Sequence, residues 1–382
     1  MNDLLNLPFF TDNQRSFARE LDVNARQHAW PDPEKGNDAV ALIEALRALG
    51  KSGVLRHAVH EPWSMMTNVL AREVLAYHSG IADLAWAMQA LGAVPLLIAG
   101  SEAHRNAILD RAVTGEFCLG FAITEPEAGS DLSRISLRAK KVGDGYVLNG
   151  EKHLVSNVGV ANYFALFART SDDKRGISCF LLDTKLPGLT FEQQRPISPH
   201  PLGRIAFENV KLPADALIGH EGDGMGIALG TLGRMRTTVA AAANGFARRA
   251  LDEALKHAKS RQMFGKTLAD QPIAQGILAE ARARLDASRL LTYRAAWEYD
   301  NGSERIPLQA GVAKWQSTEN AQWIIDKCLQ LAGGVGALHG SVFERLYREI
   351  RPLRIYEGAS EVQQIVIATE MLKEDKKTAN DQ

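Results

Sequence analysis

Cysteine is scarce in this chain: Cys118, Cys179 and Cys328 are the three present in 382 residues. Their odd number and wide separation argue against a disulfide framework and against a clustered metal site, so no metal is expected and a reduced compartment fits. Net charge is nearly absent as well. With 44 basic and 45 acidic residues the balance is -1 at pH 7, which gives no electrostatic reason to expect nucleic acid or a membrane surface as partner. The first fifteen residues carry acids and no sustained apolar run, so no signal peptide is expected; no later run reads as long enough to span a bilayer. The expected location is the cytoplasm. Internal repeats and low-complexity tracts are also missing. What the chain does have is 46% hydrophobic and 23% charged residues, enough for a large core in two or three domains of an ordinary globular protein.

Periodicity divides the chain into three textures. From about Asp12 to Thr114 apolar residues recur at three- and four-residue spacing, as in Ala41, Leu42, Ala45, Leu46 and Leu49, which predicts about four to six helices. Near Phe117 the period drops to two. Leu119, Phe121 and Ile123 alternate, and Ile135, Leu137 and Ala139 alternate up to Gly143-Asp144-Gly145, after which Tyr146 and Leu148 resume, the pattern of a hairpin. Further strands are expected at 163–167, 177–182, 189–191 and 205–212, punctuated by prolines. After Gly222-Asp223-Gly224-Met225-Gly226 the helical period returns, with long helices over 227–259, 269–299 and 307–331 and no strands. The expected fold class is α+β: an N-terminal helical domain (1–116), a middle β domain (117–226) and a C-terminal helical bundle (227–382), whose polar tail from Lys373 should fray.

Two stretches mimic other chemistries. Gly224-Met225-Gly226 with Gly230 has the wrong spacing for a dinucleotide fingerprint and lacks a βαβ unit. His57-Ala58-Val59-His60-Glu61 has neither zinc spacing nor a third ligand.

Three stretches carry more. In 354–364, Glu357 sits between the apolar Ile355-Tyr356 and a helix start, where Ser360 and Gln363 read as a capping box; Gly358 removes a side chain beside the backbone. An acid in that place ordinarily just complements the helix dipole. The loop 121–131, Phe-Ala-Ile-Thr-Glu-Pro-Glu-Ala-Gly-Ser-Asp, packs hydroxyls and acids after a strand, as a solvated turn also would. In Arg261-Gln262-Met263-Phe264-Gly265 a guanidinium suited to paired bonds with phosphate oxygens precedes a phenyl ring, though a helix-terminal surface arginine with a glycine stop reads equally well.

Taken together and in their order along the chain, the TEP-x-AGSD string at 124–131, the R-x-x-F-G element at 261–265, the stretch 329–336 and the IYEG element at 355–358 resemble the acyl-CoA dehydrogenase family over nearly the whole chain. The resemblance implies α,β-dehydrogenation of an acyl-CoA or other acyl thioester in fatty acid metabolism. Glu357 would be the base that takes the α-proton while the β-hydrogen passes as hydride to the flavin of FAD. It assigns Phe121, Ile123, Thr124, Gly129, Ser130, Leu154 and Ser156 to the flavin side, with Ser130, Arg236 and Gly358 toward the substrate. Arg261, Phe264, Gln330, Gly333 and Gly334 would reach FAD across a subunit interface. A homo-oligomer, a tetramer by preference, and an electron-transfer flavoprotein as acceptor are therefore implied. Since some members carry their glutamate where Met235 stands, Glu357 is the remaining base. A free glutamate, with a pKa of about 4.3, is a weak base, so the implied chemistry needs a desolvated pocket.

The chain departs from the family pattern at three positions. Leu154 replaces a tryptophan, Gly233 stands where an acid or amide is common, and Ala359 where threonine is common. Three alternatives follow: an oxidase using O₂, an enzyme for carrier-protein-bound acyl groups, and a non-catalytic flavin-binding assembly partner.

Overall fold

The computed structural model describes residues 2–173, 176–303 and 305–380. The elements run α1 (Asn2–Leu5), α2 (Asp12–Gln27), α3 (Asp38–Lys51), α4 (Arg56–Val59), α5 (Met65–His78), α6 (Gly80–Ala99), α7 (Glu102–Val113) and then β1 (Leu119–Ala122), β2 (Arg138–Val142), β3 (Gly145–Ser156), β4 (Tyr163–Arg169), β5 (Ile177–Asp183), β6 (Leu189–Gln194), β7 (Leu202–Leu212) and β8 (Leu217–Ile218). They continue with α8 (Gly224–Ser260), β9 (Gln262–Met263), β10 (Lys266–Thr267), α9 (Pro272–Asp300), α10 (Pro307–Ala332), α11 (Val342–Leu353) and α12 (Ser360–Asn380). The α+β class and the helix, sheet, helix order are as the sequence predicts.

Two compact units result, the first comprising 1–28, 64–80 and 233–382 and the second 29–63 and 81–232. In the second unit one sheet has the order β6-β7-β3-β2-β4-β5-β8, with β1 parallel to β4. The β2–β3 hairpin turns through Gly143 (φ 58) and Asp144, where glycine at the first loop position supplies the left-handed backbone that matches strand twist. Leu148, Phe164, Leu166, Phe180, Leu182 and Ile205 are fully buried and form the core on this sheet; burying each contributes about 1.5–3 kcal/mol.

In the first unit α10 packs against α9, α11 and α12, and α5 packs against α2 and α9. The alanine-rich middle of α8 lets helices approach closely. A Cβ on Gly245 would stand 2.4 Å from the carbonyl oxygen of Glu73, so the α5 and α8 backbones touch there. Glu73 and Arg289 form a buried pair at 2.9 Å, joined by the Tyr293 hydroxyl, which donates to Glu73 at 2.6 Å. The N-terminus of α5 is satisfied from far along the chain. The Asp300 carboxylate accepts from the Met65 amide (2.7 Å), the Met66 amide (2.9 Å) and the Ser64 hydroxyl (2.7 Å).

Four local expectations fail. Helix α6 has the length and composition of a membrane-crossing segment, which the sequence reading denied, but 89% of that window is buried inside the protein: it is a core helix. A two-stranded hairpin, β9 with β10, interrupts the last helical third where no strand is expected. Phe264 (φ 51) and Gly265 (φ 76) form its two-residue turn, so the glycine closes a hairpin rather than stopping a helix. Ser360 and Gln363 do not form a capping box: the Ser360 hydroxyl donates to Glu319, and the Gln363 amide turns back on the preceding loop. Helix α12 continues to Asn380 instead of fraying from Lys373; residues 381–382 lie outside the described residues.

Candidate active site

The sequence-predicted residues fall into groups in both units. In the second unit, β1 carries Phe121, whose ring centroid lies 4.9 Å from that of Phe167, into a loop closed by paired hydrogen bonds between Glu125 and Ala128. Glu125 is buried, so the loop is no merely solvated turn. Its carboxylate accepts from the Ser136 amide (2.6 Å) and hydroxyl (2.7 Å), from the Leu137 amide (3.1 Å) and from Lys152 (2.7 Å). Burial would raise Glu125, but the Lys152 charge and these donors hold it below the ordinary carboxylate range. Lys152 also donates to the Ile123 carbonyl at 2.9 Å, and the His153 amide to the Thr124 carbonyl at 2.8 Å. The loop is thereby pinned to β3. The hydroxyls of Thr124 and Ser130 make no hydrogen bond among the described residues, and an added Cβ on Gly129 would meet nothing within 4 Å.

Further along β3 the register against β7 shifts between Lys152 and Val155. This bulge puts Leu154 at φ 51 and leaves its side chain 54% exposed, an apolar group held out of the sheet. Two residues on, the Ser156 hydroxyl lies 3.5 Å from Nε2 of His200, whose Nδ1 meets the Ser198 carbonyl oxygen at 2.9 Å. His200 was passed over in the sequence; burial pushes it below the usual imidazole range.

In the first unit, Glu357 (φ 53) and Gly358 (φ 93) form a left-handed turn before α12. Such a backbone costs a non-glycine residue about 1–2 kcal/mol and persists only where the surroundings hold it. Three side chains do so. Arg236 of α8 donates through Nε to the Glu357 carbonyl at 3.1 Å, and Lys314 of α10 donates to the Gly358 carbonyl at 2.7 Å. Gln363 of α12 donates to the Gly358 carbonyl at 3.0 Å and, at 3.4 Å, to that of Glu357. Alanine at 358 would be strained at φ 93 and would put its Cβ 2.3 Å from Nε2 of Gln363, whose side chain would have to shift, so the glycine is favoured by the conformation of the turn. Burial lowers Arg236, with Glu357 opposing, and pushes Lys314 down to about 8. Glu319 of α10 ties both ends of the turn, accepting from Arg354 at 2.8 Å and from Ser360 at 2.5 Å. Met235, the alternative base position, is fully buried.

Elsewhere in this unit Phe264, at the hairpin tip, is 88% exposed, and Arg261 is exposed beside it. Gly333 (φ 64) ends α10, next to exposed Gln330 and Gly334; an added Cβ on either glycine would meet nothing within 4 Å. Within the second unit, unused hydroxyls beside an exposed aliphatic group, and within the first, an exposed guanidinium beside an exposed ring and open glycine backbone, are each chemically suited to part of a flavin dinucleotide.

Sequence reasoning missed Lys152, Lys314, Gln363 and His200. Lys314 left a signal: it falls on the stripe of Ala310, Ala313, Ser317, Ala321 and Ile324, all buried on α10, where a lone lysine breaks the apolar pattern.

Comparison with known proteins agrees. The family model described as "Acyl-CoA dehydrogenase, middle domain" matches residues 120–210, and that described as "Acyl-CoA dehydrogenase, C-terminal domain" matches 222–372. The chain belongs to the acyl-CoA dehydrogenase family and is an oxidoreductase acting on CH–CH bonds. It is 37% identical to a 3-(aryl)acrylate reductase of Clostridium sporogenes over 80% of this chain and 82% of that protein. It is 36% identical to the caffeyl-CoA reductase-Etf complex subunit CarC of Acetobacterium woodii, over 81% and 83%. To a cyclohexane-1-carbonyl-CoA dehydrogenase of Geobacter metallireducens it is 34% identical, over 80% and 81%. Among solved structures, butyryl-CoA dehydrogenase from Megasphaera elsdenii superposes with a TM-score of 0.87 at 28% identity, covering 95% of this chain and 99% of that one. A glutaryl-CoA dehydrogenase from Mycobacterium smegmatis in complex with FADH2 gives 0.87 at 25% identity, covering 95% of each chain.

Proposed function

We propose that the chain is an FAD enzyme that interconverts a ring-bearing acyl thioester and its trans-2-enoyl counterpart, with Glu357 as the base. The observation that carries this reading is an acid in a left-handed turn whose two carbonyls are held by Arg236, Lys314 and Gln363. Strain of this kind, over-determined by buried donors, is characteristic of a group held for chemistry. Bound FAD supplies the acceptor, or the donor, for the β-hydrogen as hydride. Glu357 takes the α-proton in the oxidative direction, and the α-carbon and β-carbon become doubly bonded. In the reductive direction Glu357 returns the proton to the α-carbon. One arrangement serves both, and relatives named dehydrogenase and reductase are consistent with that.

Thr124, Ser130 and Ser156 offer hydroxyls to the flavin, and Leu154 covers it in place of an aromatic ring. Arg261, at the pyrophosphate, with Phe264, Gln330, Gly333 and Gly334 would complete the cofactor site of a second copy, so a homo-oligomer, and a tetramer in particular, belongs to this reading. A ring-bearing acyl group is favoured because the three relatives are named for aryl, caffeyl and cyclohexane substrates. An electron-transfer flavoprotein as redox partner accords with the Etf complex that one of them is named for.

Anaerobic absorbance titration tests the reading. 3-Phenylpropanoyl-CoA and cyclohexanecarbonyl-CoA should bleach the flavin band with kcat/KM at least about tenfold above butyryl-CoA. Glu357→Gln should keep FAD and slow bleaching by about 10²–10⁴-fold. Near-normal bleaching by Glu357→Gln sinks the base assignment, and a preference for butyryl-CoA sinks the substrate class. Exposure of Leu154 favours a second reading, an oxidase; stoichiometric peroxide release in air would establish it.

A further inference from the structure

Lys314 has no place in the resemblance that identifies Glu357, yet it is fully buried one hydrogen bond from the turn that carries that acid. It reaches the Gly358 carbonyl at 2.7 Å, the shortest of the contacts that Arg236, Lys314 and Gln363 make to this turn. Helix α10 is shaped to present it. One turn earlier Gly311 lets α12 come close, an added Cβ there lying 3.2 Å from Ile367, and five residues later Glu319 fixes Arg354 and Ser360 on either side of the turn. A single rigid helix thus holds the start, the middle and the end of the segment 354–360. Apolar packing would hold it equally well without burying a cation, at lower desolvation cost.

We propose that Lys314 is a positioning residue which, with Gln363, clamps the Gly358 carbonyl and so fixes the direction of the Glu357 carboxyl toward the α-carbon of the thioester. This rests on Glu357 being the base. The clamp has a geometric part, shared with Gln363, and an electrostatic part, which belongs to Lys314 alone. The charged groups facing Lys314 are Glu357, Arg236 of α8, Glu319 of its own helix and Glu361 of α12. Removing its charge therefore takes a cation away from Glu357, and the acid limb of the rate profile moves to higher pH.

The test uses the FAD-loaded full chain, with Lys314→Met and Gln363→Leu compared against the parent. Flavin bleaching by 3-phenylpropanoyl-CoA is followed anaerobically from pH 6 to 9, with α-deuterated and β-deuterated thioesters. Both variants should keep FAD, lose about 10–100-fold of the plateau rate and show a larger α-deuterium effect, since a misplaced base slows proton removal specifically. Lys314→Met should also move the acid limb upward, and Gln363→Leu should not. Parent-like plateau rates and isotope effects in the loaded variants overturn the proposal. Should Lys314→Met fail to fold, the plateau and isotope effect of Gln363→Leu decide alone. If Glu357→Gln bleaches normally the base assignment has failed; if Glu357→Gln is dead while both clamp variants are parent-like, only the clamp has failed.

Discussion

Lys152 in the β-rich unit and Lys314 in the helical unit are both fully buried, and burial pushes both down to about 8. Each donates to a backbone carbonyl of a loop that carries candidate site residues, Ile123 in one case and Gly358 in the other. Their remaining partners differ. Lys152 also meets the buried Glu125 carboxylate at 2.7 Å, whereas Lys314 makes no ion pair among the described residues and feels Glu357, Glu319 and Glu361 through space. The difference separates two uses of a buried cation. Paired with an acid, it is a strut whose removal strands a charge; bonded to a carbonyl beside a base, it can be removed with little stranded, and the consequence falls on chemistry.

The largest expected effect breaks the strut. Lys152→Met leaves Glu125 buried with its Ser136 and Leu137 donors but no countercharge, so urea denaturation should show a loss of about 3–5 kcal/mol. Next comes the coupling itself. A double-mutant cycle with Lys152→Met and Glu125→Gln should return about 2 kcal/mol of interaction, and the corresponding cycle with Lys314→Met and Glu319→Gln less than about 0.5 kcal/mol. Equal couplings would abolish the distinction. Smaller again is Glu319→Gln alone, which weakens the bonds to Arg354 and Ser360. Glu319 and Arg354 are each about a third exposed, so about 1 kcal/mol is expected, read in the same denaturation experiment.

Much of the β-rich half was legible in the sequence because its signals are local. Alternation marks the strands, Gly143-Asp144 marks the hairpin, and the loop at 121–131 is contiguous. The helical half was legible only in outline. Its site draws on Arg236, Lys314 and Gln363, residues 121, 44 and 6 positions from the carbonyls of Glu357 or Gly358 that they hold, and no periodicity predicts such convergence. Gln363 was misread for a related reason: three positions after Ser360 it satisfies the capping-box spacing, but the acceptors it finds are the carbonyls of a left-handed turn, and Ser360 is drawn off by Glu319. The length of the apolar stretch of α6 was under-read; a buried helix and a membrane-crossing one share a composition, and what separates them is the surroundings, here protein over 89% of the window. Lys314 could have been suspected, as a cation on an apolar stripe, but its acceptor could not.

The smallest effect sharpens the comparison most. In stability, Lys314→Met should change the parent by less than about 1 kcal/mol at pH 7, because the Gly358 carbonyl keeps its bond from Gln363 at 3.0 Å and no carboxylate loses an ion pair. Its pH dependence has a definite sign. The folded pKa of Lys314, about 8, lies below the 10.5 of an exposed lysine. Well below pH 8 both states hold the proton and the folded state carries the cost of a buried charge. As pH rises toward 8 and beyond, the folded state begins to release the proton while the unfolded chain retains it, so the unfolded state binds more protons and stability rises. Between pH 7 and 8 this contributes only a few tenths of a kcal/mol, about 0.4, growing toward pH 9. Lys152 contributes with the same sign, so the parent should gain from both, Lys314→Met from Lys152 alone, and the stability of the parent relative to Lys314→Met should rise by that amount as pH rises. A difference independent of pH would mean that Lys314 keeps its proton throughout, and the contrast between strut and clamp would then rest on geometry without charge.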